Sequence, residues 1–157
     1  MEPLKSNESN NNSESKNARF NNEYNPLKPS AAFVGASWMT LIIGMTSYCI
    51  GLYNSDMAYN EKGYYFTILL FGLFSVISVQ KSVRDRLEGI PVTDLYYSIS
   101  WFSTIAAIVL LIIGLWNADL LLSEKGFFGM SFVLGMFSAL AVQKNTRDLK
   151  QFESTNI

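Results

Sequence analysis

The chain has 157 residues, 49% apolar and 16% charged, with a formal net charge of −1 and mean hydropathy +0.16. That length suits one ordinary domain, and the near-neutral balance excludes a nucleic-acid partner and a highly acidic solvating chain alike. The absence of histidine removes His-ligated haem, most zinc and copper sites, and Ser-His or Cys-His catalysis; the single cysteine, Cys49, rules out an intrachain disulfide and a Cys-x-x-Cys motif.

Residues 1–30 are mostly Asn, Ser, Glu and Lys, with no apolar run able to serve as the core of a secretory signal. Four acids (Glu2, Glu8, Glu14, Glu23) balance four bases (Lys5, Lys16, Arg19, Lys28). So few apolar groups cannot offset the entropy of ordering, and the segment is expected to be a disordered Asn/Ser-rich tail.

After Pro29 come four uncharged apolar stretches: Phe33–Tyr53, Tyr64–Gln80, Leu95–Trp116 and Phe127–Gln143. At about 1.5 Å per residue the first and third are about 31 and 33 Å long, matching a hydrocarbon core of roughly 30 Å. The second and fourth reach only about 25 Å and need flanking residues or a locally thinner bilayer. A helix in a soluble bundle carries a polar face, and these carry none. The expected fold class is an all-α membrane protein of four transmembrane helices.

Orientation follows from the bases. The turns 54–63 and 117–126 carry one lysine each, Lys62 and Lys125; the other ten of the twelve Lys and Arg lie in the tail, in the middle loop (Lys81, Arg84, Arg86) and after the last helix (Lys144, Arg147, Lys150). The positive-inside rule then places both termini in the cytoplasm. Tyr53, Tyr59, Tyr64 and Tyr65 beside the first turn, and Trp116, Phe127 and Phe128 beside the second, suit the headgroup interface.

An offset of 63 residues superposes the chain on itself without a gap. Residues 51–86 read GLYNSDMAYNEKGYYFTILLFGLFSVISVQKSVRDR and residues 114–149 read GLWNADLLLSEKGFFGMSFVLGMFSALAVQKNTRDL, with 15 of 36 positions identical. A unit that crosses twice returns to its own side, so the two copies point the same way, as tandem hairpins at 31–87 and 94–150 in a parallel repeat. The repeated GL[WY]N-x-D…EKG…G-x-FS…VQK-x-x-RD resembles the YiaA/YiaB family of bacterial inner membrane proteins. That resemblance implies a plasma-membrane location and a two-helix domain present twice, and it carries no assigned activity.

The repeat motif supplies the candidate site residues. Asn54 and Asn117 are expected to end helices in a left-handed conformation, with Asp56 and Asp119 bonding their own turns. The sharper reading joins these Asp to Glu61 and Glu124 as an acidic ring, its field partly cancelled by Lys62 and Lys125. Both Glu also suit the N-terminus of the following helix, and Gly63 and Gly126 are expected to turn the chain into the membrane.

At the other end, Gln80, Lys81, Arg84 and Asp85 recur as Gln143, Lys144, Arg147 and Asp148. If the helices continue, Lys and Asp stand four apart and pair, while the bases meet headgroups or a docking partner. Ser131, Gly135 and Ala139, and Ser47 with Gly51, form rows of small residues that suit close helix packing. Cys49 is expected to be a small buried residue.

Transporters normally carry ionisable groups within the membrane, and these stretches have none. The reading favoured is a non-enzymatic membrane protein, structural or stress-related, without cofactor or metal, whose partners are the lipid bilayer and either a second copy or another membrane protein. The alternative is a small oligomeric channel or carrier lined by Thr40, Thr46, Ser75, Ser78, Ser100, Ser103, Thr104 and Ser138.

Overall fold

The computed structural model describes residues 29–155, so the tail, apart from Pro29 and Ser30, lies outside the described residues. Four helices account for nearly all of them: α1 (Ala31–Asn54), α2 (Tyr59–Leu87), α3 (Asp94–Asn117) and α4 (Leu122–Thr155). Each is long and apolar enough to cross a membrane. The starts of α1 and α2 map onto those of α3 and α4 at the 63-residue offset. The caps repeat too: the Ser30 hydroxyl accepts from the Phe33 N–H at 3.2 Å, and the Thr93 hydroxyl from the Tyr96 N–H at 3.4 Å. The 29 residues of α2 and 34 of α4 take in polar flanks on both sides of their apolar stretches, so flanking residues supply the missing span.

Sequence neighbours are not the main packing partners. α1 lies chiefly against α4 and α2 against α3; α2 and α4 meet more narrowly between these pairs, and α1–α2 and α3–α4 touch least. The first helix of each repeat therefore packs on the second helix of the other. Tyr48 of α1 is fully buried, edge-on to Phe128 of α4 at 5.3 Å and 79°, and its hydroxyl donates to the Tyr65 carbonyl of α2 at 3.1 Å. Tyr65 stacks on Phe128 at 6.0 Å, which ties three helices together. Large apolar side chains such as Ile42, Ile112 and Phe137 point outward, the pattern of a surface solvated by lipid.

Along the α1–α4 seam Ser131, Gly135 and Ala139 are all buried, as their spacing predicts. The facing glycine is Gly44, not the Ser47/Gly51 row: a Cβ on Gly44 would stand 3.0 Å from the Gly135 nitrogen and 3.2 Å from its Cα. Backbone meets backbone there. Asn145 of α4, 1% exposed, donates to the Ser37 hydroxyl of α1 at 3.0 Å and closes the seam further along.

Three local expectations are corrected. Gly63 and Gly126 lie inside α2 and α4 rather than in turns, and the turn glycine is Gly89 at φ 74. There the Ile90 N–H reaches the Asp85 carbonyl at 2.8 Å and the Gly89 N–H the Arg86 carbonyl at 3.2 Å, the double bond of a Schellman ending. Asn54 and Asn117 do not end their helices left-handed; Ser55 and Ala118 leave in extended conformation, and the Asn117 amide donates back to the Ile113 carbonyl at 2.8 Å. Cys49 is exposed, on the outside of the bundle rather than within it.

Candidate functional site: twin crevices at the turn face

The two short turns bring the motif residues together at one end of the bundle, the turn face. Each Glu-Lys-Gly triad there is divided between two tasks. Glu61 accepts the Ala58 N–H through Oε2 at 2.9 Å, and Glu124 accepts the Leu121 N–H at 2.8 Å, each closing the first turn of its helix. The lysines reach the other way: Lys62 Nζ donates to the Tyr53 carbonyl at 3.0 Å, and Lys125 Nζ to the Trp116 carbonyl at 3.4 Å. A base on the last carbonyls of a helix also complements its dipole. Each lysine thus ties the two helices of a repeat together at their turn, while each glutamate caps the second of them.

Across the repeats the same residues enclose two crevices. One, of about 260 Å³, lies between the end of α1 and the start of α4 and is lined by Gly51, Asn54, Ser55, Ser123, Glu124, Phe127 and Phe128. The other, of about 320 Å³, is lined by Asn60, Glu61, Tyr64, Tyr65, Gly114, Asn117 and Ala118. Every lining position in one corresponds to a lining position in the other at the 63-residue offset. Each crevice therefore takes Gly and Asn from one repeat and Glu with two aromatic rings from the other.

A side chain at either floor would displace a ring. A Cβ on Gly51 would stand 2.6 Å from Phe127 Cε1, and one on Gly114 would stand 2.7 Å from Tyr64 Cε1. The ring pairs are edge-to-face: Tyr64 and Tyr65 at 5.3 Å and 79°, Phe127 and Phe128 at 6.0 Å and 74°. The Tyr64 hydroxyl is held by the Leu110 carbonyl of α3 at 2.8 Å, which fixes that ring.

The sharper alternative, an acidic ring, does not assemble. Glu61 and Glu124 go into separate crevices, while Asp56 and Asp119 are exposed and line neither. Nor do the lysines stand among the lining residues, so they do not neutralise the glutamates from within. Sequence reasoning assigned the paired aromatics to the headgroup interface and Gly51 to a packing row. Their recurrence at the repeat offset was the available signal, but it did not reveal that the two copies interlock.

At the opposite end, the loop face, motif residues form an ion-paired network. Arg84 Nε donates to Asp85 at 2.9 Å, and Arg147 Nη2 to Asp148 at 2.9 Å, the same adjacent pairing in both repeats. Glu88 joins them, with Arg84 and Arg147 each at 3.8 Å. The expected four-apart pair holds for Lys144 and Asp148 at 3.2 Å, whereas Lys81 is exposed and Asp85 takes Arg84 instead. Arg86 pairs with Asp94 and lies over the Tyr97 ring, 4.1 Å from its centre, fastening the middle loop.

Burial pushes the Asp148 carboxyl up, but hydrogen bonds and charge from Arg147 and Lys144 outweigh it and hold it below its usual 3.8. Gln80 donates to the Leu140 carbonyl at 3.3 Å, and the buried side-chain oxygens of Gln80 and Gln143 have no hydrogen-bond donor. Among the described residues no group of three or more Cys, Asp and Glu side chains stands ready to hold a metal ion.

The chain matches the family described as yiaA/B two helix domain over residues 33–85 and again over 96–148. It is 55% identical over 119 residues to "Inner membrane protein YiaA" of Escherichia coli (strain K12), covering 76% of this chain and 82% of that protein. It is also 37% identical over 60 residues to "Uncharacterized membrane protein YubF" of Bacillus subtilis (strain 168), covering 38% of this chain and 69% of that one. No solved structure matches. With the unit present twice and interlocked across its two copies, the chain belongs to the YiaA/YiaB two-helix family.

Proposed function

We infer that the chain is a multi-pass inner membrane protein whose role is that of a non-enzymatic accessory, with the turn face outside and both termini in the cytoplasm. One observation supports an accessory over a conduit: six of the eight hydroxyls that could line a path, Thr40 among them, are bonded to their own helices. Ser75 donates to the Gly72 carbonyl at 2.9 Å, Ser78 to Phe74 at 2.8 Å, Ser100 to Tyr96 at 2.8 Å, Thr104 to Ser100 at 3.1 Å and Ser138 to Leu134 at 2.6 Å. A hydroxyl turned onto its backbone is matched within hydrocarbon and presents little to a passing ion.

The printed name of the Escherichia coli relative supports the inner-membrane location. The ten-to-two division of bases supports the orientation. The loop face, with Lys81 and Lys150 exposed, meets anionic headgroups and is the surface offered to a partner. Potassium and proton flux through liposomes containing the purified chain tests the accessory role. The expected flux equals that of protein-free liposomes, and flux rising with protein content would favour the channel alternative.

A further inference from the structure

We propose that the long apolar groove between α3 and α4 holds an acyl chain of one phospholipid, with the lipid phosphate at Lys125. This goes beyond the accessory reading and does not depend on it. The groove, of about 630 Å³, opens where two helices touch least and reaches Val76 of α2. Of its fourteen lining residues only Thr104 is polar, and that hydroxyl is committed to the Ser100 carbonyl at 3.1 Å. The lining runs from Leu115 and Gly126 near the turn face to Thr104 and Leu140, with no ionisable side chain. Nothing there can satisfy a charge or a hydrogen-bonding group, so the part of an occupant that fills it is hydrocarbon.

Width separates a lipid chain from a partner helix. From Gly126 to Leu140 α4 advances about 21 Å, so the groove averages about 30 Å² in cross-section. A helix with its side chains is about 10 Å across and needs about 80 Å², whereas a single polymethylene chain fits. Gly129 is a second, independent observation. A Cβ there would meet no other helix within 4 Å among the described residues, so packing inside the bundle does not call for glycine, which weakens a helix interior. The first repeat carries Phe66 at the equivalent position. Glycine thus leaves open a space that a ring fills in the other copy. The charge at the mouth suits a phosphate. Lys125 and Trp116 adjoin the lining residues Gly126 and Leu115, and the Lys125 ammonium rests on the Trp116 carbonyl at 3.4 Å with no carboxylate paired to it among the described residues. The start of α4 adds the positive end of its dipole, while Glu124 lines the separate crevice beside α1.

The test is native mass spectrometry of the full chain, released from neutral detergent after titration with dioleoyl phosphatidylglycerol. Binding is expected to saturate at one lipid per chain. Gly129→Phe, which installs the ring of the first repeat, should weaken that binding about tenfold or more. Lys125→Gln should weaken it about fivefold, the worth of one base beside an anionic headgroup. Glycerol 3-phosphate, the headgroup chemistry without the chains, should not displace the lipid. Should a variant fail to fold, the wild-type spectrum alone decides, because general lipid solvation gives an unsaturable ladder of adducts and a held lipid gives one. Such a ladder, wild-type affinity in either variant, or displacement by glycerol 3-phosphate would each overturn the proposal. So would a dimer that Gly129→Phe dissociates, which would assign the groove to a second copy of the chain.

Discussion

The crossing of α1 and α4 offers a sharp test of the packing, because its two glycines are not equivalent. A Cβ on Gly44 would lie 3.0 Å from the Gly135 nitrogen and 3.2 Å from its Cα, whereas a Cβ on Gly135 would meet only Met45 Sδ at 3.9 Å. Ordinary carbon contacts sit at about 3.5–4.0 Å, so Gly44→Ala obliges α1 to retreat by about 0.5 Å. A gap of that size forfeits about a quarter of the attraction of each contact along the seam, and overpacking of this kind costs about 1–3 kcal/mol. The retreat also stretches the 3.0 Å bond from Asn145 to Ser37 and loosens the Tyr48–Phe128 contact.

Against this stands the helical preference of Ala over Gly, about 1 kcal/mol, which both substitutions gain. Comparing the two variants cancels that preference. Gly44→Ala is therefore expected to be less stable than Gly135→Ala by about 1–3 kcal/mol, read as thermal unfolding in detergent. Gly135→Ala itself should equal or slightly exceed wild type. Equal stability of the two variants, or Gly135→Ala as the weaker, would refute the crossing geometry.

Three further outcomes are expected. A cysteine at Asp56, which is exposed at the turn face, in a Cys49→Ser background should react with an impermeant thiol reagent from outside intact cells; labelling from the cytoplasmic side alone would reverse the orientation. Deleting residues 1–28 should leave insertion and unfolding temperature nearly unchanged, since that segment holds no apolar span, and a loss of insertion would give the tail a folding role. Asp148 has its folded pKa below its unfolded one, so its contribution is complete above pH 3.8 and is lost as pH falls through the lowered value. Wild type should then lose more stability than Asp148→Asn between about pH 5 and pH 2, and parallel acid profiles would show that the pairing contributes nothing.

Much of the architecture was legible in the chain itself. Four uncharged stretches of near-bilayer length can only be satisfied as helices in lipid, because the backbone has no other source of hydrogen bonds there. The gapless 63-residue repeat determined that the two units resemble each other and point the same way. The tertiary structure alone decided which helix meets which. In lipid no apolar face is hidden from solvent in preference to another, so hydropathy is silent about partners and close fit selects them. That fit places Gly44 against Gly135, and sets each repeat's rings on the other's glycine, Phe127 over Gly51 and Tyr64 over Gly114. The division of Glu61 and Lys62, adjacent in the chain, between a crevice across the repeats and a carbonyl within one followed only from that interlocking.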